Sequence, residues 1–135
     1  MTPKIYLDID GVLLAQRHKK AADGSVELID FIVNKFDCYW LTTHCRDGHT
    51  DGLIKMLSEY YSDDVIKKIS MIKPTDWDAL KTEAIDFNSH FFWLDDYVFE
   101  AEKAVLLEKN CAHSLILVNL GRKNELLDII QHRLA

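Results

Sequence analysis

Four aspartates stand in two pairs, each at the end of an apolar run. Asp8 and Asp10 end the first run of the chain, and Asp95 and Asp96 end a later one. A carboxylate at the end of a buried strand is costly unless a cation or hydrogen bonds offset its charge. Four such groups would repel one another unless a hard cation lay between them, and oxygen ligands favour Mg²⁺ over zinc. The aspartates therefore predict a magnesium site.

A hydroxyl group and an ammonium group complete the set that phosphoryl transfer requires. Thr42 follows the apolar run that ends at Leu41, and Lys81 lies between that run and the second pair of aspartates. A carboxylate can accept a phosphoryl group, while the hydroxyl and the ammonium stabilise the charge that develops. Together with Mg²⁺, these residue types predict phosphoryl transfer through an aspartyl-phosphate.

Five short apolar runs alternate with segments of helical periodicity. The predicted strands lie at 5–8, 39–41, 70–72, 91–94 and 114–118, and the predicted helices at 26–36, 53–61, 76–85, 98–109 and 122–134. This alternation is typical of an α/β fold with a mostly parallel sheet, and the length of the chain favours one domain over residues 1–135. Carboxyl ends of parallel strands share one edge, so the polar residues are expected to meet there.

Composition narrows the classes of function. The net charge is −6 and no basic run is longer than residues 17–20, so the chain has no strong nucleic-acid signature. No apolar stretch is long enough for a membrane span, and the first residues lack the apolar core of a signal peptide. Three cysteines without a CxxC motif predict reduced thiols and a cytoplasmic protein.

The same residues carry a family resemblance. Asp8-x-Asp10-Gly11-Val12, Thr42, Lys81 and Asp95-Asp96 resemble, in this order, the four motifs of the haloacid dehalogenase superfamily. The resemblance spans essentially the whole chain and is greatest to small members without a cap domain, including domains associated with RNA-repair proteins. It implies a three-layer Rossmann-like sandwich with a five-stranded, mostly parallel sheet in the strand order 5-4-1-2-3.

The resemblance also implies catalytic roles. Asp8 would be the nucleophile, and Asp10 would act as general acid toward the leaving group and then as general base for water. Thr42 would donate a hydrogen bond to a phosphoryl oxygen, and Lys81 would neutralise charge on Asp8 and the phosphoryl group. Family members with an aspartate at the position of Asp10 are phosphatases or phosphomutases, so the resemblance favours a phosphatase.

The implied cofactor is Mg²⁺. Its ligands would be Asp8, the backbone carbonyl of Asp10, and Asp95, with Asp96 acting through water. The substrate would be phosphorylated, either a small molecule or the end of a macromolecule. The insertion at 16–24 is too short for a cap domain but long enough for a flap, whose basic residues at 17–20 could attract phosphate.

Three alternatives stay open at the level of the sequence. Lys73 precedes Pro74 and could replace Lys81 as the lysine of the site, and Thr43 could replace Thr42. The chain could also be a binding or regulatory domain that keeps the fold and the metal site but has weak catalytic activity.

Overall fold

The computed structural model of the chain describes residues 2–17 and 19–135, so His18 of the predicted flap lies outside the described residues. The strands are β1 (Lys4–Leu7), β2 (Leu14–Ala15), β3 (Lys20–Ala21), β4 (Asp37–Trp40), β5 (Phe91–Asp95) and β6 (Leu115–Leu117). The α-helices are α1 (Ser25–Lys35), α2 (Asp51–Leu57), α3 (Asp63–Ile69), α4 (Glu100–Glu108) and α5 (Glu125–Ile129). Short 3-10 helices lie at Lys81–Ala84 and Ala112–Ser114, and a π-helical turn at Ile130–Leu134. Among the described residues, no helix has the length and apolar character needed to cross a membrane.

Four strands form one parallel sheet in the order β4-β1-β5-β6. This confirms the predicted α/β class and the mostly parallel sheet, and it is the order that the family resemblance implies for these four strands. The strands are short and largely apolar because the sheet is covered on both faces. Strands β2 and β3 form a separate antiparallel pair, so the insertion after β1 folds back as a small hairpin.

The third of the five predicted strands, at 70–72, is not present. Helix α3 ends at Ile69, residues 70–72 form a turn, and only Lys73 forms a parallel bridge beside β4. Its backbone N–H donates to the Cys38 carbonyl, and its carbonyl accepts from the Trp40 N–H. Two residues later, Thr75 bonds to the Trp40 carbonyl through its side-chain hydroxyl rather than its backbone. The backbone ladder therefore ends after one residue.

The helix predicted over 76–85 is also wrong. Thr75, the residue before it, is bonded to β4 through its hydroxyl, and the segment contains only the 3-10 helix Lys81–Ala84. Its apolar side chains Trp77 and Ile85 are buried. The segment therefore lies over the core and brings Lys81 toward the carboxyl ends of β1 and β5.

Two apolar clusters cover the two faces of the sheet. On one face, Ile5 and Leu7 of β1 share a cluster with Leu28 of α1, as do side chains of α2, α3 and α5. On the other face, Tyr6 and Trp93 share a cluster with side chains of α4 and of the segment before β5. Neighbouring residues of a strand point to opposite faces, so β1 contributes to both clusters. This double packing fixes the strand ends that carry the acids.

Candidate functional site

Three aspartates meet where β1 and β5 end. Asp8 follows β1 directly, Asp95 is the last residue of β5, and Asp96 comes next. Because the two strands are adjacent and parallel, their carboxyl ends lie at one edge of the sheet. One carboxylate oxygen from each aspartate lies within 4.8 Å of the others. Asp8 and Asp95 are buried and Asp96 is exposed, so the acid cluster (Asp8, Asp95 and Asp96) opens to solvent on one side.

Lys81 is the lysine that contacts this cluster. Its Nζ lies 2.7 Å from Asp95 Oδ2 and 3.4 Å from Asp8 Oδ2. Burial alone would lower the pKa of Lys81, but the two carboxylates outweigh it and the pKa is raised. Lys73 lies elsewhere, with its exposed Nζ 2.6 Å from Asp37 Oδ1 at the start of β4. Of the two candidate lysines, the structure brings only Lys81 to the acids.

The charge of the cluster is incompletely compensated by Lys81. Burial and the nearby Asp8 carboxylate raise the pKa of Asp95 to about 8. The same two causes raise the pKa of Asp96. When all three acids are ionised, three carboxylates and one ammonium leave an excess of negative charge, and the free oxygens are the hard ligands that Mg²⁺ prefers. The donor set therefore fits a divalent cation of this kind.

The raised pKa of Asp95 predicts how the stability of the metal-free protein depends on pH. An acid whose pKa is higher in the folded state binds protons more readily there, so the free energy of unfolding rises as pH falls from about 8 toward 4. In EDTA, we expect a melting temperature several degrees higher at pH 6 than at pH 8. Differential scanning calorimetry of wild type and Asp95→Asn measures it. An equal pH dependence in both proteins would contradict this origin.

Hydrogen bonds hold the two buried carboxylates in place. The backbone N–H of Ile9 donates to Asp8 Oδ1 over 2.8 Å, which leaves Oδ2 facing Lys81. Asp95 accepts from the Tyr97 N–H at Oδ1 and from the Trp93 indole at Oδ2. Trp93 is buried in the core, and its indole also orients an acid of the site. These contacts restrict the rotation of both side chains.

Glu102 is a site residue that sequence reasoning missed. It lies in the first turn of α4, and it is 2 % exposed. Oε2 accepts from the Lys81 N–H and Oε1 accepts from the Phe99 N–H, each over 2.8 Å. A glutamate at the third helical position often accepts from the residue before the helix, so the bond from Phe99 could have been predicted from the sequence. The bond from Lys81 could not, and it ties the 3-10 helix that carries Lys81 to α4.

Asp10 is not part of the acid cluster. Its Oδ2 lies 3.0 Å from His44 Nε2, in the loop after β4. Its side chain is 45 % exposed, against 10 % for Asp8. The structure thus brings the Asp10 carboxylate beside a histidine of the loop after β4. A carboxylate at the solvent side of the site can exchange a proton with a leaving group or with water.

The two candidate threonines occupy different positions. Thr42 is fully buried, and its hydroxyl oxygen accepts a 3.3 Å hydrogen bond from the His44 N–H. Thr43 is exposed and lines the cavity that contains Asp8 and Lys81. The structure therefore places Thr43 at the cavity surface and Thr42 beneath it.

Two features of position 11 require a glycine: its backbone conformation and the close approach of Asp96. Its φ of +76° lies in the left-handed region, and a Cβ there would overlap the Asp96 carboxylate. Gly11→Ala is expected to cost about 2 kcal/mol of unfolding free energy and to weaken Mg²⁺ binding, because Asp96 must move. Gly48→Ala is the matched control, since Gly48 has a φ of +84° and open space around it. Chemical denaturation and calorimetric Mg²⁺ titration of both variants test this. Equal Mg²⁺ affinities would contradict the role of the contact.

Two cavities open at the acid cluster. The smaller, about 180 Å³, is lined by Asp8, Lys81 and Asp95 together with aromatic side chains. The larger is a cleft of about 940 Å³ that begins at Asp10. Asp96 lines both, so the exposed acid of the cluster separates a narrow pocket from a broad one.

No protein-family model, curated protein or solved structure matches the chain. The function of the protein is therefore inferred from the chemistry and geometry of this site.

Proposed function

We propose that the protein is a Mg²⁺-dependent phosphomonoester hydrolase that acts through an aspartyl-phosphate on Asp8. The observation that carries the proposal is the meeting of Asp8, Asp95 and Asp96 with the Lys81 ammonium at the ends of two parallel strands. We also propose that the chain is a member of the haloacid dehalogenase superfamily without a cap domain. The motif order and the parallel sheet support this assignment.

The proposed metal ligands are Asp8, Asp95 and Asp96. When bound there, Mg²⁺ would offset the charge of the phosphoryl oxygens and help to orient them. Lys81 supplies further positive charge at Asp8 Oδ2, and Glu102 holds the backbone of Lys81. The site then has its charges in position before substrate arrives, which is the main source of rate enhancement in this chemistry.

The proposed reaction has two steps. In the first, a carboxylate oxygen of Asp8 forms a bond to phosphorus while the ester oxygen leaves and takes a proton from Asp10. In the second, Asp10 takes a proton from water, the water oxygen attacks phosphorus, and phosphate leaves with Asp8 restored. The contact between His44 Nε2 and Asp10 Oδ2 orients this acid and base. Binding of the phosphoryl group in the smaller cavity excludes bulk water from Asp8.

The two threonines are expected to differ in their effects. Thr43→Ala should lower kcat/KM by roughly tenfold with little change in stability, because the hydroxyl at the cavity surface donates to the phosphoryl group. Thr42→Val should cost about 1–3 kcal/mol of unfolding free energy, because it removes the acceptor of the half-buried His44 N–H and places a methyl group at a fully buried polar position. Steady-state kinetics and thermal unfolding of both variants distinguish them. A large loss of kcat/KM for Thr42→Val at unchanged stability would instead assign the phosphate contact to Thr42.

Hydrolysis of 4-nitrophenyl phosphate tests the proposal. We expect turnover with Mg²⁺, none with EDTA, and recovery when Mg²⁺ is restored. Calorimetric titration establishes in parallel that the protein binds Mg²⁺. A folded, Mg²⁺-binding protein that turns over neither this substrate nor a panel of phosphorylated metabolites, peptides and nucleotides would contradict the enzyme assignment. That result would favour the binding or regulatory domain.

A further inference from the structure

The larger cleft is positioned to hold the body of a substrate. It begins at Asp10, which the proposed mechanism places beside the leaving oxygen, and it shares Asp96 with the smaller cavity. Its volume of about 940 Å³ is in the range of sites for small organic molecules, whereas the cavity at Asp8 has about 180 Å³. A phosphomonoester bound with phosphorus at Asp8 therefore extends its remaining atoms along this cleft.

The cleft is lined by apolar and by basic side chains. Leu117 at the end of β6 contributes apolar surface and is 51 % exposed. Arg17 and Arg122 line the same cleft from the hairpin loop and from the loop after β6. The acids lie at one end and the two arginines belong to the loops that border it. A ligand with a phosphoryl group, an apolar middle and a second anion matches this distribution.

Neither arginine is engaged in an ion pair with another described residue. Both side chains are exposed, in a protein whose net charge is −6. A guanidinium group binds phosphate or carboxylate through two parallel hydrogen bonds, which makes arginine well suited to such recognition. Two such groups lining one cleft provide a site for an anion.

The backbone of the hairpin loop is held in an unusual conformation. Gln16 and Arg17 have φ angles of +53° and +57°, in the left-handed region that residues other than glycine rarely adopt. Such conformations cost free energy and persist where the surrounding structure imposes them. Both residues follow β2 directly, and Arg17 lines the cleft.

We infer that the substrate carries a second anionic group, phosphate or carboxylate, on a partly apolar body, and that Arg17 and Arg122 bind this group. The inference rests on the proposed phosphatase function and narrows its substrate class. It excludes a simple aryl or alkyl monophosphate as the preferred substrate.

Matched substrates test the inference. The kcat/KM of wild type is measured with adenosine 3′,5′-bisphosphate, adenosine 5′-monophosphate and 4-nitrophenyl phosphate. O-Phosphotyrosine carries a carboxylate in place of the second phosphate and distinguishes the two anions. We expect wild type to prefer the bisphosphate, and the double variant Arg17→Gln/Arg122→Gln to reduce its preference over 4-nitrophenyl phosphate by about tenfold, mainly through KM. Arg133→Gln, which removes the same charge outside the cleft, should leave the preference unchanged.

Two outcomes would overturn the inference. One is an equal fall of kcat/KM for all substrates in the double variant, and the other is a wild type without preference for the second anion. Calorimetric binding of adenosine 3′,5′-bisphosphate to Asp8→Asn, with and without the arginine substitutions, separates this inference from the proposed function. Arginine-dependent binding of the bisphosphate to Asp8→Asn, together with a wild type that turns over no phosphomonoester, would refute the phosphatase and keep the anion site. Turnover that does not depend on the arginines would refute the anion site and keep the phosphatase.

Discussion

Asp8→Asn is expected to lower kcat for phosphomonoester hydrolysis by roughly 10⁴-fold or more, because an amide oxygen cannot serve as the phosphoryl acceptor. The fold should persist, since asparagine keeps the shape of the side chain and an oxygen that can accept from the Ile9 N–H. In EDTA the variant should be at least as stable as wild type, because one of three neighbouring carboxylates is neutralised. Steady-state kinetics with Mg²⁺ and thermal unfolding in EDTA measure the two effects.

Asp37→Asn is the matched control for Asp8→Asn. Asp37 begins β4, the strand beside β1, and it pairs with Lys73 rather than with the acid cluster. The same chemical change there should leave kcat unaffected. If Asp8→Asn kept most of the wild-type activity, the nucleophile would have to be another residue and the proposed mechanism would fail.

Lys81→Met is expected to reduce both activity and stability. The ammonium lies against Asp8 and Asp95, and Asp95 has only 1 % of its side chain exposed. Removing one partner of a buried ion pair leaves an uncompensated charge and typically costs about 3–5 kcal/mol. Losing a positive group beside the phosphoryl site should lower kcat/KM by roughly 10²–10³-fold. Mg²⁺ should recover part of the stability, since it supplies positive charge to the same carboxylates.

Lys73→Met is the matched control for Lys81→Met, and it also separates the two lysines that the sequence left open. The Lys73 side chain is 57 % exposed, and exposed ion pairs contribute little. We therefore expect near-normal activity and stability. Denaturant unfolding with and without Mg²⁺ and steady-state kinetics of both variants provide the comparison. A greater loss of activity in Lys73→Met than in Lys81→Met would contradict the assigned site.

The sequence predicted the parts of this molecule that depend on local pattern. The strands β1, β4, β5 and β6 are short apolar runs, and polar residues mark the ends of the first and third of these. Since parallel strands share an edge, the meeting of Asp8 with Asp95 followed from the order of elements. The pattern at 65–72 was ambiguous, because a short apolar run fits a helix end as well as a strand. Helix α3 extends through most of that run.

The contacts that orient the side chains of the site could not be predicted from the sequence pattern. Glu102 lies 21 residues from Lys81, and its bond to the Lys81 N–H depends on how the segment before β5 packs against α4. The pairing of His44 with Asp10 spans 34 residues and depends on the path of a loop. Hydrophobic periodicity predicts neither the path of a loop nor the partner of a side chain. In this site, these two features determine the positions of the Asp10 carboxylate and the Lys81 ammonium.

The most direct test of the central claim is chemical identification of the phosphorylated residue. Asp10→Asn, which lacks the base for the second step, is mixed with Mg²⁺ and 4-nitrophenyl phosphate, whose leaving group needs no proton from Asp10 in the first step. The mixture is quenched in acid and treated with borohydride. Reduction converts an aspartyl-phosphate to homoserine, which peptide mass spectrometry locates. The account predicts modification at residue 8, and none with EDTA or in a protein that also carries Asp8→Asn. Phosphate release without any modification, or modification at another carboxylate such as Asp95, would contradict it.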